Sequence, residues 1–511
     1  MKTPPLKIVF LLPFSENTIV MLKQFLALLL TGAALSAQAQ SPATDILSAD
    51  FHKARRDELR RMMPPKSVAV LFANPERNRS NDVSYRYHPD PNFYYLTGLR
   101  EPNAVLFVFK DMQTINNETF NEIIFVHAHN ALKEMYDGGR LGKEGARDQL
   151  KFKVAYEGPD FKNYPIDFSA YEKVLFYDFF DDVRDLPEAG DLYDLIAQFK
   201  QKVGYQKKEL NVTIEPRKNN IDLVALDGLM KKLRGIKTPE EIQLLRKAVD
   251  ISTVGQLEVM KSIKPGMSEM QIQGLHEFIH KSYSAADEGY GSIVGAGHNG
   301  CVLHYVDNDK ASIEDGELIL MDVGAEYRGY SADITRTIPV NGTFSKEQKI
   351  IYDLVYKAQE AARKVCKEGV AFKTLEQTAN TVINEGLVEL GLYKSTDKKD
   401  MVDPATGRNR YNPHGCCHHI GLDVHDKGEY DLLKEGMVIT IEPGIYINEN
   451  APADKIWWNI PVRIEDDFLI QKNGCELLST MAPRKSEEIE RVMQEPGALD
   501  NLKLPDVGVH K

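Results

Sequence analysis

Four short apolar runs punctuate the first half of the chain: VAVLFA (68–73), AVLFVF (104–109), EIIFVHA (122–128) and KVLFYDF (173–179). Each is continuous rather than alternating and too short for a typical helix, so each predicts a strand buried on both faces. Polar, helical-looking segments lie between them. Residues 41–232 therefore read as an α/β domain.

The pattern changes after residue 236. TPEEIQLLRKAVDI carries Thr238 as N-cap, Pro239 at the first helical position and Glu241 three residues after the cap, which is a capping box. Ile242, Leu245 and Val249 then recur on one helical face. A second helix is expected from Ser268, followed by a strand-rich block at 290–340. Two more helices follow, from Ser345 with Gln348 completing its box and from Thr374 with Gln377 likewise, and a second strand-rich block occupies 411–470. Helices then strands, twice over, predicts a pseudo-two-fold domain over 236–490. Ligands favour such internal interfaces. The tail 491–511 has little to bury and is expected to be loose.

The N-terminus reads as a targeting segment. Residues 21–40, MLKQFLALLLTGAALSAQAQ, place Lys23 before an apolar run from Phe25 to Leu35 and the small-residue site Ala37-Gln38-Ala39 after it. That is the pattern of a secretory signal, and the run is too short for a membrane span. Residues 1–39 are therefore expected to be removed, with Met21 as the start of translation, or with 1–39 as one long signal. The first cysteine is Cys301, so no lipid-anchored cysteine can form at the cleavage point. The protein is expected in the periplasm or secreted.

A formal charge of −12 without a clustered basic run argues against nucleic acid as a partner. Export permits disulfides, yet Cys301, Cys366, Cys416, Cys417 and Cys475 are an odd, sparse set and form no disulfide framework.

Candidate chemistry begins with carboxylates in apolar strands. In ELILMDVGAEYRGYSADITRTIPV (317–340), Asp322 and Asp333 flank a turn around Arg328-Gly329. Their odd separation puts both on one face of the ladder if the loop is even in length. Glu442 ends MVITIEP, and Glu465 lies in PVRIEDDFLI with Arg463 on its own face. One such acid is commonly a turn residue or half of an ion pair. Four are better explained by a shared cation, because a buried carboxylate is costly unless paired. With imidazoles added, the set is hard and oxygen-rich, suited to Mn²⁺, Co²⁺ or Fe²⁺ rather than to structural zinc, and carries charge enough for two divalent ions. The stretch NPHGCCHHIGLDVHD (412–426) supplies the imidazoles: His414, His418, His419 and His425.

MDVGAEYRGYSADITRT, HGCCHHIGLDVHD, IEPGIYI and VRIEDD, in that order, resemble the metal-binding segments of the pita-bread metallopeptidases, and most of all those of the aminopeptidase P type. PDPNFYYLTGLREPNAVLFVF (89–109) resembles the first domain of the same family, and the likeness spans about residues 50–485. The resemblance implies an α/β (α+β) protein in which a pita-bread catalytic domain follows an N-terminal α/β domain. It implies two metal ions, most simply Mn²⁺, held by Asp322, Asp333, His418, Glu442 and Glu465. The HGxxH pattern selects His418 over His419, which is expected on the surface or just behind the ligands.

The resemblance also implies that His304, His414 and His425 contact substrate or carry protons, with Tyr290, Arg463 and Tyr446 as supporting residues. Glu442 would hold the proton of a metal-activated water, and the family's reaction is hydrolysis of the bond before a proline in second position. The cysteines would be bystanders that pack near a ligand. Prolidase, which cuts only Xaa-Pro dipeptides, shares this domain and metal set. A non-catalytic peptide-binding module would have lost ligands, as would a creatine-hydrolysing relative. The family's habit of assembly implies a homodimer or homotetramer.

Overall fold

A computed structural model describes residues 45–205 and 220–500. The expected signal segment 1–39 lies outside the described residues, as does the end of the tail.

The chain enters through helix α1 (Ala49–Met62), capped by Ser48, and builds a six-stranded sheet. Its strands are β1 (Ser67–Phe72), β2 (Val105–Ile115), β3 (Glu118–Val126), β4 (Ala155–Glu157), β5 (Lys173–Leu175) and β6 (Ile221–Asp222), in the order β4-β3-β2-β1-β5-β6. The central strands β1, β2 and β3 run antiparallel, and parallel strands complete the sheet on both sides. The apolar runs are continuous because both faces are covered. Val68, Val70, Phe107 and Phe125 pack on Phe161, Phe168 and Phe199. Ala69, Leu71, Leu106 and Ile124 face the other way, into a core shared with the C-terminal half. The fourth run is strand only over Lys173–Leu175, the three residues that pair with β1.

Helix α2 (Pro91–Thr97), capped by Asp90, and helix α3 (Leu192–Val203) pack on this sheet, and α4 (Ala225–Gly235) leads into the second half. From Leu47 onward the chain forms one unit. Its shared core joins Phe93, Tyr94 and Tyr95 to Leu245, Tyr327, Tyr330 and Ile420.

The C-terminal half repeats a pattern. Helices α5 (Pro239–Ser262) and α6 (Glu269–Ser282) start with capping boxes at Thr238–Glu241 and Ser268–Gln271. An antiparallel sheet follows: β7 (Ile293–Ala296), β8 (Leu318–Val323) and β9 (Ile334–Pro339). Helices α7 (Lys346–Val365) and α8 (Phe372–Glu389) come next. Then come β10 (Val438–Ile441), β11 (Gly444–Ile447), β12 (Ile460–Arg463), β13 (Asp466–Gln471) and β14 (Gly474–Leu477). β10, β13 and β14 form one sheet and β11 pairs with β12, all antiparallel.

Three local expectations are corrected. Ser345 and Gln348 form their box, but Thr374 and Gln377 do not. Helix α8 starts at Phe372, after Ala371 has bridged to Leu432, so a long-range backbone contact sets the helix start. The second block has strands only from Val438 on; residues 411–437 are loop with isolated bridges, held by side chains rather than by a ladder. The tail is not loose over its described part: Val492 is buried, and the Ala498 amide donates to Glu258 Oε2 at 2.6 Å.

Candidate active site

Strand register brings the carboxylates together. Asp322 stands opposite Thr335, two residues from Asp333, so both aspartates face the same side of β8 and β9. In the other half, β10 carries Glu442 just beyond its end. The His418–His419 segment lies against β10: His419 bridges Ile439, the Thr440 amide donates to His418 O at 2.8 Å, and the Glu442 amide donates to Cys416 O at 2.8 Å. Glu465 occupies the break between β12 and β13, where its amide donates to Thr335 O and its Oε2 accepts from the Thr335 hydroxyl at 2.7 Å.

The helices hold these strand ends by an equivalent device in each half. Gln256 of α5 donates its amide to Met321 O and Ile334 O, the residues beside Asp322 and Asp333. Gln359 of α7 donates to Ile441 O and Ile464 O, the residues beside Glu442 and Glu465, and also to Asp466 Oδ2. Both glutamines are fully buried. Arg336 of β9 crosses between the halves, donating to Asp466 Oδ1 at 2.6 Å and to Glu465 O at 2.8 Å. Asp467 Oδ2 accepts the amide of Asp333.

The result is a cavity of about 370 Å³ lined by Asp322, Asp333, His418, Glu442, Glu465 and Arg463, with His304, His414 and His425 around it. Donor atoms of Asp333, His418 and Glu465 lie within 4.8 Å of one another. His418 Nε2 faces Asp333 at 3.4 Å, Glu442 at 3.5 Å and Glu465 at 3.8 Å. Its Nδ1 lies 3.0 Å from His419 O, which makes Nδ1–H the donor and leaves the Nε2 lone pair for a cation. Tyr290 places its one hydroxyl 2.5 Å from Asp322 Oδ1 and 2.6 Å from Asp333 Oδ1. One proton cannot be donated to both carboxylates at once, so one of the two is left to another partner, a place a cation would fill. Burial, reinforced by Asp322, raises Asp333 above the usual carboxylate range. Burial, reinforced by Asp333 and Glu442, lifts Glu465 well above it. Glu442 is pushed by burial to about 7, against the pull of His418 and Arg463. Burial alone would lower His418, but Asp333 and Glu442 raise it to about 9. This donor set, oxygen-rich and over-charged, fits divalent cations.

The supporting residues form a chain. Arg463 donates to Asp322 Oδ2 at 2.6 Å and to the Tyr446 hydroxyl at 2.8 Å. His414 Nδ1 lies 2.7 Å from Gly415 O, so it carries the proton, and Nε2 accepts from the Tyr446 hydroxyl at 2.8 Å. Burial lowers His414 to about 4, so it stays neutral. His425 stacks edge-on against His418 at 4.4 Å and is exposed on the other side, as is His304.

His419 is not at the surface. It is fully buried between Phe372 and Tyr430, with Nε2 against Glu429 O. Gln256, Gln359, Thr335, Asp466 and Asp467 escaped the reading from sequence alone. A signal existed for some: Thr335 follows Asp333 at strand spacing, and Asp466 and Asp467 extend the acidic run of RIEDD.

Two domain descriptions match the chain: metallopeptidase family M24 over residues 243–472 and aminopeptidase P, N-terminal domain, over residues 52–176. The Xaa-Pro aminopeptidase of Haemophilus influenzae is 35% identical over 446 residues, 86% of this chain and 96% of that protein. The Xaa-Pro aminopeptidase of Escherichia coli is 34% identical over 468 residues, 88% of this chain and 98% of that protein. Among solved structures, Escherichia coli aminopeptidase P with the inhibitor Pro-Leu superposes with a TM-score of 0.75 at 31% identity, covering 88% of this chain and 98% of that one.

Proposed function

This chain belongs to metallopeptidase family M24, and from that premise we propose how its residues perform the family's hydrolysis. The protein is a metal-dependent aminopeptidase that releases an N-terminal residue followed by proline. The observation that carries the assignment of roles is the single cavity in which Asp322, Asp333, His418, Glu442 and Glu465 converge beside His304, His414 and His425.

The five converging side chains would hold two divalent ions. When bound, the ions acidify a water and stabilise negative charge on the substrate oxygen. Mn²⁺ is the native metal on this reading, supported by four carboxylates and one imidazole in a site without thiolate ligands. Glu442, buried in the cavity wall beside His418, takes the proton of the attacking water on its carboxylate and passes it to the leaving nitrogen. Asp322, fixed by Arg463 and Tyr290, receives the substrate's free amine, which limits cleavage to the first residue. His425 and His304 stand at the rim, where their N–H groups meet the developing oxyanion and the leaving amide. The Tyr446–His414 chain keeps a neutral imidazole beside the bond to be cut. A proline nitrogen has no N–H, so its pocket needs no acceptor for one.

Export guided by residues 21–40 and assembly into a homodimer or homotetramer belong to the same proposal. The signal pattern supports the first, and the family resemblance the second. N-terminal sequencing of the mature protein and light scattering check them.

The deciding assay offers Xaa-Pro-Yaa, Xaa-Pro and Xaa-Ala-Yaa side by side to the Mn²⁺-supplemented protein and follows the free first amino acid. Release is expected from Xaa-Pro-Yaa, far faster than from the dipeptide. Release from the dipeptide alone would reassign the enzyme to prolidase chemistry.

A further inference from the structure

Cys416 and Cys417 take no part in the hydrolysis, yet they are built into its cavity. Cys417 lines the cavity and Cys416 lies just behind it in the core. Their Sγ atoms are 3.3 Å apart, and both are free thiols. The backbone around the pair is held on both sides: Cys416 O accepts the Glu442 amide at 2.8 Å, and the His418 amide donates to the Thr440 hydroxyl at 3.1 Å.

This separation selects among ligands. A disulfide needs about 2.05 Å between sulfurs, which this pair would reach only by closing a small strained ring. An ion with sulfur bonds of about 2.3 Å, as in zinc thiolates, spans roughly 3.3 Å when its bonds meet near right angles. Pyramidal trivalent arsenic has that shape. Thiols are soft donors, whereas the neighbouring carboxylates are hard, so the two sets do not compete for the same ion.

We propose that Cys416 and Cys417 form a second, soft binding site in the wall of the catalytic cavity that chelates arsenic(III). Arsenous acid reacts with the two thiols: two S–H and two As–OH bonds break, two As–S bonds form and two waters leave. Arsenic remains trivalent, so no oxidant or reductant is needed. The third As–OH group projects into the cavity beside His418, where a peptide must pass.

The experiment treats the metal-loaded full-length protein with sodium arsenite. Arsenic per chain is counted by elemental analysis after gel filtration, and Xaa-Pro-Yaa hydrolysis is followed in parallel. One arsenic per chain is expected, with loss of hydrolysis that 2,3-dimercaptopropanol reverses and an equal concentration of monothiol does not. Cys417→Ser should bind none and be insensitive to arsenite relative to its own untreated sample. A Cys366→Ser/Cys475→Ser variant should behave as wild type. Should Cys417→Ser misfold, maleimide mapping of the wild type replaces it: arsenite should protect Cys416 and Cys417 selectively. Wild-type protein that binds no arsenic, arsenic retained by Cys417→Ser, or protection at other cysteines instead overturns the proposal. The inhibition arm rests on the aminopeptidase reading, but the arsenic count and the mapping do not, so failure of one is distinguishable from failure of the other.

Discussion

In the proposed mechanism Glu442 does two things at once, facing a cation and carrying a proton, and its buried place beside His418 and Arg463 suits both. Glu442→Gln keeps the shape and removes the proton acceptor. It is expected to lower kcat by at least ~10²-fold, read by steady-state hydrolysis with metal content and circular dichroism as controls. The same side chain makes metal removal pH-dependent. Without metal, its pKa rises from 4.5 to about 7 on folding. The folded state then binds more protons than the unfolded one between those values. Its contribution is complete below pH 4.5 and lost as pH rises through 7, about 3 kcal/mol at most. Bound cations favour the ionised form instead. The Tm difference between metal-loaded and EDTA-treated protein should therefore widen as pH rises from 4.5 to 7; a constant or narrowing gap would exclude this account. At this scale the aspartates were legible, because the parity of a β-ladder follows from counting residues. Gln256 and Gln359 were not: a glutamine in an amphipathic helix looks like a surface residue until its carbonyl partners, far along the chain, are known.

The four carboxylates of the proposed ligand set sit in strands or at strand ends, His418 comes from a loop laid against β10, and helices fix the strand ends. Gln359→Leu would strip three buried acceptors of their donor, and Gln256→Leu two. Unpaired buried acceptors cost about 1–3 kcal/mol each. Both variants should be destabilised, Gln359→Leu more, and both should bind divalent metal more weakly. Chemical denaturation and metal titration check this, and unchanged metal affinity would reduce the glutamines to ordinary packing. Capping boxes at Thr238 and Ser345 were readable because their bonds are local. The start of α8 and the loop character of 411–437 were not, because Leu432, Tyr430 and Ile439 decide them from a distance.

Across the whole molecule, a charge cluster around the buried Arg234 ties the N-terminal half to the segment that carries His425. Arg234 of α4 donates to Asn92 of α2, to Asp423 and to Asp426, and Lys237 also donates to Asp426. Asp423 and Asp426 flank the loop segment that carries His425. Arg234→Met leaves Asp426 buried with half its compensation. It should cost about 3–5 kcal/mol and lower hydrolysis by loosening His425, measured by denaturant melts and by kcat for Xaa-Pro-Yaa under conditions where the variant remains folded. Stability lost with kcat intact would confine the cluster to holding the halves together. No apolar periodicity announces such a cluster, which is why the sequence pointed to two domains but not to their junction.

The division of ligands between two halves has a temporal side. A chain still emerging from the ribosome exposes Asp322 and Asp333 first, and it cannot complete the set until β10 and the break before β13 have been made and folded back onto β8 and β9. No half-finished chain holds all five ligands. On the proposed ligand assignment the metal site is thus among the last parts of the fold to close, and a chain that ends before Glu465 is expected to hydrolyse nothing.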